Sequence, residues 1–284
     1  KHMPLEAVRR FCEGIRLKHM PLEAVRRFCE GIREYAESIG KENFWLLGEV
    51  AGGDFMKRSY LEIFGRNLDA VLDFGVTPQL LKDIAKGLGD PKHYYSYYTP
   101  ADILGSHRET GRFHVTILDD HDQVGAPTKA RFAAGSDHPL VAIQLAHAVG
   151  MQLCTLGIPC IYYGTEQAFN GSQADHDHGV QADLAFADRY IRESMFGGTF
   201  GAFKTAGCHF FDPSHPTYLR IAAIARIRSR ADGVGLALRR GREFAREISY
   251  DGGAFVWPGA GDVIAWSRIL HRQAVICAFN THGD

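Results

Sequence analysis

The sequence lacks the features that would place the chain in a membrane or on a nucleic acid. No stretch approaches the roughly 18 consecutive apolar residues that a membrane helix needs. The 32 lysine and arginine residues nearly balance the 33 aspartate and glutamate residues, and no run of five like charges occurs. We therefore expect no nucleic acid and no membrane as partners, and a neutral ligand fits the composition better.

The sequence also lacks the cysteine spacing of metal and redox motifs. Its six cysteines form no C-x-x-C pair, and no histidine stands at zinc spacing from them. They are Cys12, Cys29, Cys154, Cys160, Cys208 and Cys277. Because they lie in mostly apolar stretches, we expect buried free thiols. The run Asp175–His178 (DHDH) could be a metal-binding tract, but a solvated loop is the preferred interpretation, and no cofactor is expected in this chain.

An internal duplication is the first feature that is present. Lys1–Arg16 (KHMPLEAVRRFCEGIR) recurs unchanged as Lys18–Arg33, with Leu17 between the two copies. At about 100° per residue, this 17-residue period turns the apolar face of the second copy by about 100°, so one continuous helix could not bury both faces. We interpret residues 1–17 as a duplicated helical segment.

The second copy is predicted to be the native helix, from about Leu22 to Ser38. Pro21 favours a helix start there, because proline belongs in the first turn of a helix, and Gly40 supplies the stop. The first residues do not show the charged segment followed by an apolar segment that is typical of a signal peptide. Since Lys1 stands inside a motif, we expect that it is not a natural start, and the localisation stays open.

After this helix, short apolar runs alternate with helical stretches. Candidate strands are Phe44–Gly48, Ala70–Phe74, Phe113–Leu118 and Pro159–Tyr163. Candidate helices are about Pro78–Gly87, His138–Leu156 and Tyr218–Arg230. The strands are mostly apolar rather than alternating, as expected for parallel strands covered on both faces. This order predicts an α/β architecture over residues 18–240, and leaves a barrel and a doubly wound sheet both open.

At about Gly241 the sequence pattern changes to short β-rich runs separated by glycine-rich turns. These runs are Glu247–Tyr250, Ala254–Trp257, Val263–Ile269 and Ala274–Phe279. They predict a small antiparallel β domain over residues 241–284.

Acidic side chains follow two of the candidate strands. Glu49 comes after the apolar run FWLLG, and three acids and a histidine lie within Leu118–Gln123 (LDDHDQ). Parallel barrels build active sites at the carboxyl ends of strands. Burying several charged groups in a packed core costs desolvation energy, so a polar cleft explains this cluster of acids better. Carboxyl groups on one rim suit glycoside hydrolysis, and the tyrosines of the run GIPCIYYGTE could stack on sugar rings there.

The order of four motifs resembles strands five to eight of the catalytic barrel of the α-amylase family of retaining glycoside hydrolases. The motifs are FWLLGEV, AVLDFG, VTILDDHDQVG and GIPCIYYGTEQ. The resemblance covers nearly all of residues 18–284 and includes the start of the family's C-terminal β domain. It implies a partial TIM (β/α)8 barrel with an N-terminal duplicated helix, a truncated antiparallel β domain, and an α-glucan or maltooligosaccharide substrate.

The resemblance also implies roles for individual residues. Glu49 matches the general acid/base and Asp122 the transition-state carboxylate. His121 matches the histidine that hydrogen-bonds substrate hydroxyls. Asp120 stands where the family usually has asparagine, a departure that could alter substrate contacts but does not touch the reacting carboxylates.

A larger departure concerns the nucleophile. Lys18 and His19 match a Lys-His pair of the family that contacts substrate, or they simply begin a helix. The family's nucleophilic aspartate precedes that lysine by three residues, where this chain has Ile15, and Glu13 stands in place of the family's arginine. We therefore expect the nucleophile, the first four strands and the calcium-associated inserted domain to be absent, with calcium belonging only to a full-length parent. Without the nucleophile, this chain alone is expected to be inactive or nearly so.

Several interpretations stay open at this point. The chain could instead be a non-catalytic saccharide binder or an inert rearranged fragment, and hydrolysis cannot be told from glycosyl transfer. The cluster Tyr94–Tyr98 could be a sugar-stacking platform or a loop packed on the barrel. Asp73 fits a buried, hydrogen-bonded barrel residue better than a direct role. A half barrel has two open strand edges, which predicts homodimerisation.

Overall fold

The computed structural model describes nine parts of the chain. They are residues 21–50, 67–73, 77–98, 113–121, 131–133, 140–169, 191–192, 195 and 211–282. The first copy of the duplication, Lys18, His19, Asp122, the Asp175–His178 run, Cys12 and Cys208 lie outside them. The chain divides into two compact units, one of Lys1–Leu72 with Arg112–Val115, the other of Asp73–Gly111 with Thr116–Asp284.

Among its described residues, the first unit contains one helix and short strands of the parallel sheet. Helix α1 is Leu22–Ser38, strand β1 is Leu47–Gly48, strand β2 is Ala70–Asp73, and strand β3 begins at His114. The strand order is β1-β2-β3. Strands β1 and β2 pair in parallel, with Leu47 opposite Ala70 and Gly48 opposite Val71. The predicted bounds of α1 are confirmed, with Pro21 at its start.

One face of α1 makes the core of the first unit. Val25 and Cys29, one turn apart on the helix, are fully buried and pack with Leu68 and Val71. On the edge of this core, Arg33 donates from Nη2 to the Asp69 carboxylate at 2.9 Å. This pairing and the apolar face together fix the helix against the strands, as expected for an amphipathic helix.

The second unit contains five longer helices among its described residues. They are α2 (Thr77–Ala85), α3 (Pro91–Tyr98), α4 (Val141–Cys154), α5 (Pro216–Arg228) and α6 (Gly233–Arg240). Strand β3, which ends at Ile117, neighbours strand β4 (Ile158–Cys160). A short 3₁₀ turn, Thr165–Gln167, follows. Helix α4 is apolar on nearly all sides and lies buried at the centre of the unit's core, as such helices do.

A small antiparallel sheet follows these helices. It consists of β5 (Arg242–Arg246), β6 (Val263–Leu270) and β7 (Gln273–Asn280), in that order. Trp266 on β6 is fully buried and stacks on Phe279 of β7, with ring centroids 5.2 Å apart. The architecture is thus a parallel sheet with helices followed by a small antiparallel sheet, which fits the predicted α/β class.

A buried carboxylate joins this sheet to the end of α4. Glu243 on β5 accepts hydrogen bonds from the Thr155 hydroxyl at 3.1 Å and from the backbone N–H of Leu156 at 2.8 Å. Arg268 lies near it, with Nη1 3.8 Å from the carboxylate. Burial raises the pKa of Glu243 to about 7, although the Arg268 charge and the hydrogen bonds oppose that shift.

Several sequence predictions need correction. The candidate strands Glu247–Tyr250 and Ala254–Trp257 reduce to a single bridge between Ile248 and Val256. Strand β5 and helices α3 and α6 were not predicted. Strands β1, β3 and β4 are shorter than the apolar runs that indicated them. Cys160 is exposed, so the expectation of buried thiols is wrong there.

Candidate active site

Glu49 stands directly after β1, at the carboxyl end of a strand with a parallel neighbour. Its side chain is half-buried, and Val50 after it belongs to the core. Gly48 brings the backbone close to Leu68, because a Cβ at this position would lie 2.2 Å from the Leu68 Cδ1 atom. A larger residue at position 48 would therefore force the buried Leu68 side chain to shift.

The start of the same segment is fixed by Asp69. Its Oδ2 atom accepts from the backbone N–H of Leu46 at 2.7 Å and from Arg33 at 2.9 Å. The Arg33 Nη2 atom also donates to the carbonyl of Asn67 at 2.6 Å. This small network holds the residues before β1 and before β2 together, so Glu49 extends from a well-anchored strand.

The first of the acids after β3, Asp119, belongs to the interior of the second unit. The Asp119 side chain is buried; its Oδ1 accepts from the Phe132 backbone N–H at 2.8 Å and lies 3.3 Å from Lys82 Nζ. Its Oδ2 accepts from the Thr165 hydroxyl at 3.1 Å. Asp119 is thus a structural carboxylate, and the density of acids in this run is partly explained by packing, contrary to the sequence interpretation.

His121 is the second predicted site residue that the structure describes. Its side chain is half-buried just beyond the carboxyl end of β3, and its carbonyl accepts from Arg192 Nε at 3.1 Å. Glu49 belongs to the first unit and His121 to the second. The other predicted site residues, Asp122, Lys18 and His19, lie outside the described residues.

A buried arginine organises the aromatic residues beyond β4. The guanidinium of Arg131 lies over the ring of Tyr162, 4.6 Å from its centroid, and within 5.5 Å of the Phe169 centroid. Its Nη1 donates to the Tyr163 carbonyl at 2.9 Å. The Tyr162 hydroxyl donates to the Ile191 carbonyl at 3.0 Å. No motif in the sequence had indicated Arg131, because its partners come from separate parts of the chain.

Tyr163 is the exposed member of this aromatic group. Its ring packs edge-on against Tyr162, with centroids 4.7 Å apart, and 38% of its surface is accessible. Gly164, with a φ of 83°, turns the chain after it, and a Cβ there would lie 2.3 Å from the Phe169 ring. An accessible ring held this firmly can stack on a sugar.

The tyrosine cluster of α3 is part of the core. Tyr94 is fully buried and Tyr95 is 8% exposed, so the sugar-platform interpretation is wrong for these two residues. The Tyr95 hydroxyl donates to the Ala265 carbonyl at 3.1 Å and accepts from the Ala265 N–H at 3.0 Å, which ties α3 to β6. Burial raises the pKa of Tyr95 to about 12.

Within the described ranges, no group of three or more histidine, cysteine or acidic side chains is arranged to hold a metal ion. None of the helices in those ranges is long and apolar enough to cross a membrane.

Comparison with known proteins gives consistent neighbours, although no protein-family model matches the chain. An α-amylase of Streptomyces lividans is 27% identical over 207 residues, which is 70% of this chain and 22% of the relative. A cyclomaltodextrinase of a Bacillus species is 25% identical over 166 residues, 58% of this chain and 27% of the relative. The chain therefore spans about a quarter of the length of these curated relatives.

Solved structures share the fold over nearly the whole chain. A γ-CGTase from an alkalophilic Bacillus clarkii has a TM-score of 0.58 and 19% identity, covering 97% of this chain and 33% of its own. AmyP in complex with maltose has a TM-score of 0.61 and 15% identity, covering 92% of this chain and 52% of its own. At these identities the likeness is one of fold.

Proposed function

We propose, since this chain belongs to the α-amylase family of glycoside hydrolases, that it carries the acid/base side of a retaining α-glucan site. The observation behind the proposal is the place of Glu49, half-buried and directly after a strand with a parallel neighbour. Active sites of parallel α/β barrels are built at this end of the strands. The close packing of Gly48 on Leu68 and the hydrogen bond from Leu46 to Asp69 support a defined backbone position for the segment that precedes Glu49.

The proposed chemistry assigns one task to each residue. In a retaining mechanism, a carboxylic acid protonates the oxygen of the leaving sugar while a carboxylate attacks the anomeric carbon, and the first residue later takes the proton of the incoming water or sugar hydroxyl. We assign the proton transfers to Glu49. Asp122 would stabilise positive charge at the anomeric carbon. His121, Lys18 and His19 would hydrogen-bond sugar hydroxyls.

The proposed substrate is an α-glucan or a maltooligosaccharide. The curated relatives are an α-amylase and a cyclomaltodextrinase, and the solved AmyP structure holds maltose. The accessible ring of Tyr163, held by the Arg131 group, would suit stacking on a glucose unit. Hydrolysis and glycosyl transfer use the same carboxylates, and access of water decides between them.

We also propose that the nucleophilic aspartate of the site is missing from this chain. Ile15 stands three residues before Lys18, and an isoleucine cannot form a glycosyl-enzyme intermediate, which needs a carboxylate about 5–5.5 Å from the acid. Since the members of a catalytic unit act together, losing one removes most of the rate. We therefore propose that this polypeptide alone turns over α-glucans little or not at all.

The test is reducing-sugar release from soluble starch and maltoheptaose. The purified chain is assayed beside Glu49→Gln and beside Glu37→Gln, a control at an exposed carboxylate of α1. The expected result is no release from any of the three. If release disappears only in Glu49→Gln, a second copy or another acid supplies the nucleophile. The proposal that the chain is inactive would then be wrong. Release unchanged in Glu49→Gln would contradict the role of Glu49.

A second candidate function is a non-catalytic saccharide binder or an inert rearranged fragment. The verbatim repeat at residues 1–33 and Ile15 favour it. Calorimetric titration with maltoheptaose separates the two forms: heat of binding without turnover identifies a binder, and the absence of heat identifies an inert fragment.

A further inference from the structure

Two cysteines from distant parts of the sequence lie side by side in the second unit. Cys154 is the last residue of α4, and Cys277 lies in the middle of β7. Their side chains lie near each other, and each thiol shifts the pKa of the other. Cys277 belongs to the unit's hydrophobic core, and Cys154 packs against that core. The fold therefore brings together two thiols that no sequence spacing had linked.

Backbone contacts fix this pair in place. Cys277 stands directly opposite Trp266 in the β6-β7 ladder, so the two side chains lie on the same face of the sheet. On that face, the Trp266 indole Nε1 donates to the Cys154 carbonyl at 3.0 Å, and Arg268 Nη1 donates to the same oxygen at 2.9 Å. Cys154 is thus held over the side of the sheet on which Cys277 lies.

The two thiols differ in accessibility and in charge environment. Cys154 is partly accessible, whereas Cys277 is buried. The hydrogen bond from Cys277 and the nearby Arg228 and Arg268 guanidinium groups lower the pKa of Cys154, while burial opposes this shift. The same hydrogen bond and burial raise the pKa of Cys277. Cys154 is therefore the thiol that a reagent meets first, and the one that more readily becomes the attacking thiolate.

We propose that Cys154 and Cys277 form an oxidation site that takes a low-molecular-weight disulfide as its co-reactant and closes an intramolecular disulfide. The Cys154 thiolate attacks one sulfur of the reagent, and the other sulfur leaves as a thiolate. The Cys277 thiol then gives its proton to that leaving thiolate and attacks the Cys154 sulfur, which expels the second half of the reagent. Two protein thiols are oxidised and one small disulfide is reduced to two thiols.

The product would link the end of helix α4 to strand β7. A disulfide stabilises mainly by restricting the unfolded chain, and the effect grows with the length of the closed loop. Because the segment between Cys154 and Cys277 is long, we expect the oxidised chain to melt about 5–10 °C higher than the reduced chain. Dithiothreitol should reverse the shift.

The experiment uses the whole 284-residue chain and oxidised glutathione. After incubation, free thiols are blocked with N-ethylmaleimide, the protein is digested without reduction, and peptides are identified by mass spectrometry. We expect one cross-linked pair containing Cys154 and Cys277, together with the rise in melting temperature. Cys160→Ser, at an exposed cysteine of β4, should behave like the wild type, and Cys154→Ser should lose both signals.

Two results would overturn the proposal. One is a stable mixed disulfide of glutathione on Cys154 that does not resolve onto Cys277. The other is a cross-link that joins different cysteines while Cys154 and Cys277 are both recovered as blocked thiols. Since the peptide map of the wild-type protein alone decides between these results, a variant that fails to fold would not obscure the answer.

Discussion

At the scale of single residues, Gly48 controls how the chain reaches Glu49. An added Cβ would lie 2.2 Å from the Leu68 Cδ1 atom, and Leu68 is 3% exposed within the first unit's core. For Gly48→Ala we expect a loss of about 1–3 kcal/mol in the free energy of unfolding, because an overpacked core must shift. Urea denaturation measures this loss.

Gly31→Ala is the matched control for that substitution. Gly31 lies in α1, and a Cβ there meets nothing within 4 Å. Alanine is favoured over glycine in a helix, so this variant should gain up to about 1 kcal/mol. Equal losses in both variants would mean that Gly48 has no special packing role.

Some residue positions followed from the sequence, whereas the structural roles of other residues did not. The positions of Glu49 and His121 just beyond strand ends follow from apolar runs that stop at polar residues. The roles of Asp119 and Arg131 could not be derived, because their partners lie far away in the sequence. A run of acids gives no indication of which member is hydrogen-bonded inside the core.

At the scale of elements, the junction of β5 with the end of α4 depends on the protonation of Glu243. Its pKa is raised from 4.5 to about 7 by burial. Arg268 donates to the carbonyls of Cys154 and Gly241, so it does not need an ionised carboxylate. Between pH 4.5 and 7, Glu243 keeps its proton in the folded protein and loses it in the unfolded chain. The free energy of unfolding therefore falls by about 3 kcal/mol as the pH rises through this interval.

Glu243→Gln should remove this dependence, because glutamine does not titrate. The measurement is the free energy of unfolding at several values between pH 4.5 and 8 for the wild type, for Glu243→Gln and for Glu247→Gln, whose side chain is exposed. The difference between the wild type and Glu243→Gln should change across this range. A parallel course for these two proteins would argue against a titrating Glu243.

The elements also show which sequence signals were sufficient. Helix α1 was predicted with correct bounds, because Pro21 and one apolar face indicate the same segment. Strand β5 was missed because its buried position is a glutamate, which the apolar pattern does not count. Helix α6 contains two glycines, and only its cap, Asp232, which accepts from the Val234 and Gly235 N–H groups, could have indicated it.

At the scale of the whole molecule, the parallel sheet leads to a prediction about association. The described strands form a sheet of four in the order β1-β2-β3-β4. Closed barrels have no strand edges, whereas a sheet that stays open has two, and open edges favour pairing with another chain. We expect light scattering to detect dimers at micromolar concentration, with a fraction that rises with concentration. A monodisperse monomer over a tenfold concentration range would contradict this expectation.

The burial of Trp266 gives the molecule an intrinsic optical reporter. The chain has three tryptophans; Trp45 and Trp257 are about half accessible, while Trp266 is fully buried between α4 and Phe279. A water-borne quencher such as iodide should therefore suppress the emission of the first two and leave a blue-shifted remainder from the third. That remaining signal reports whether the antiparallel sheet is still packed on α4, and it can follow the opening of this contact without any added label.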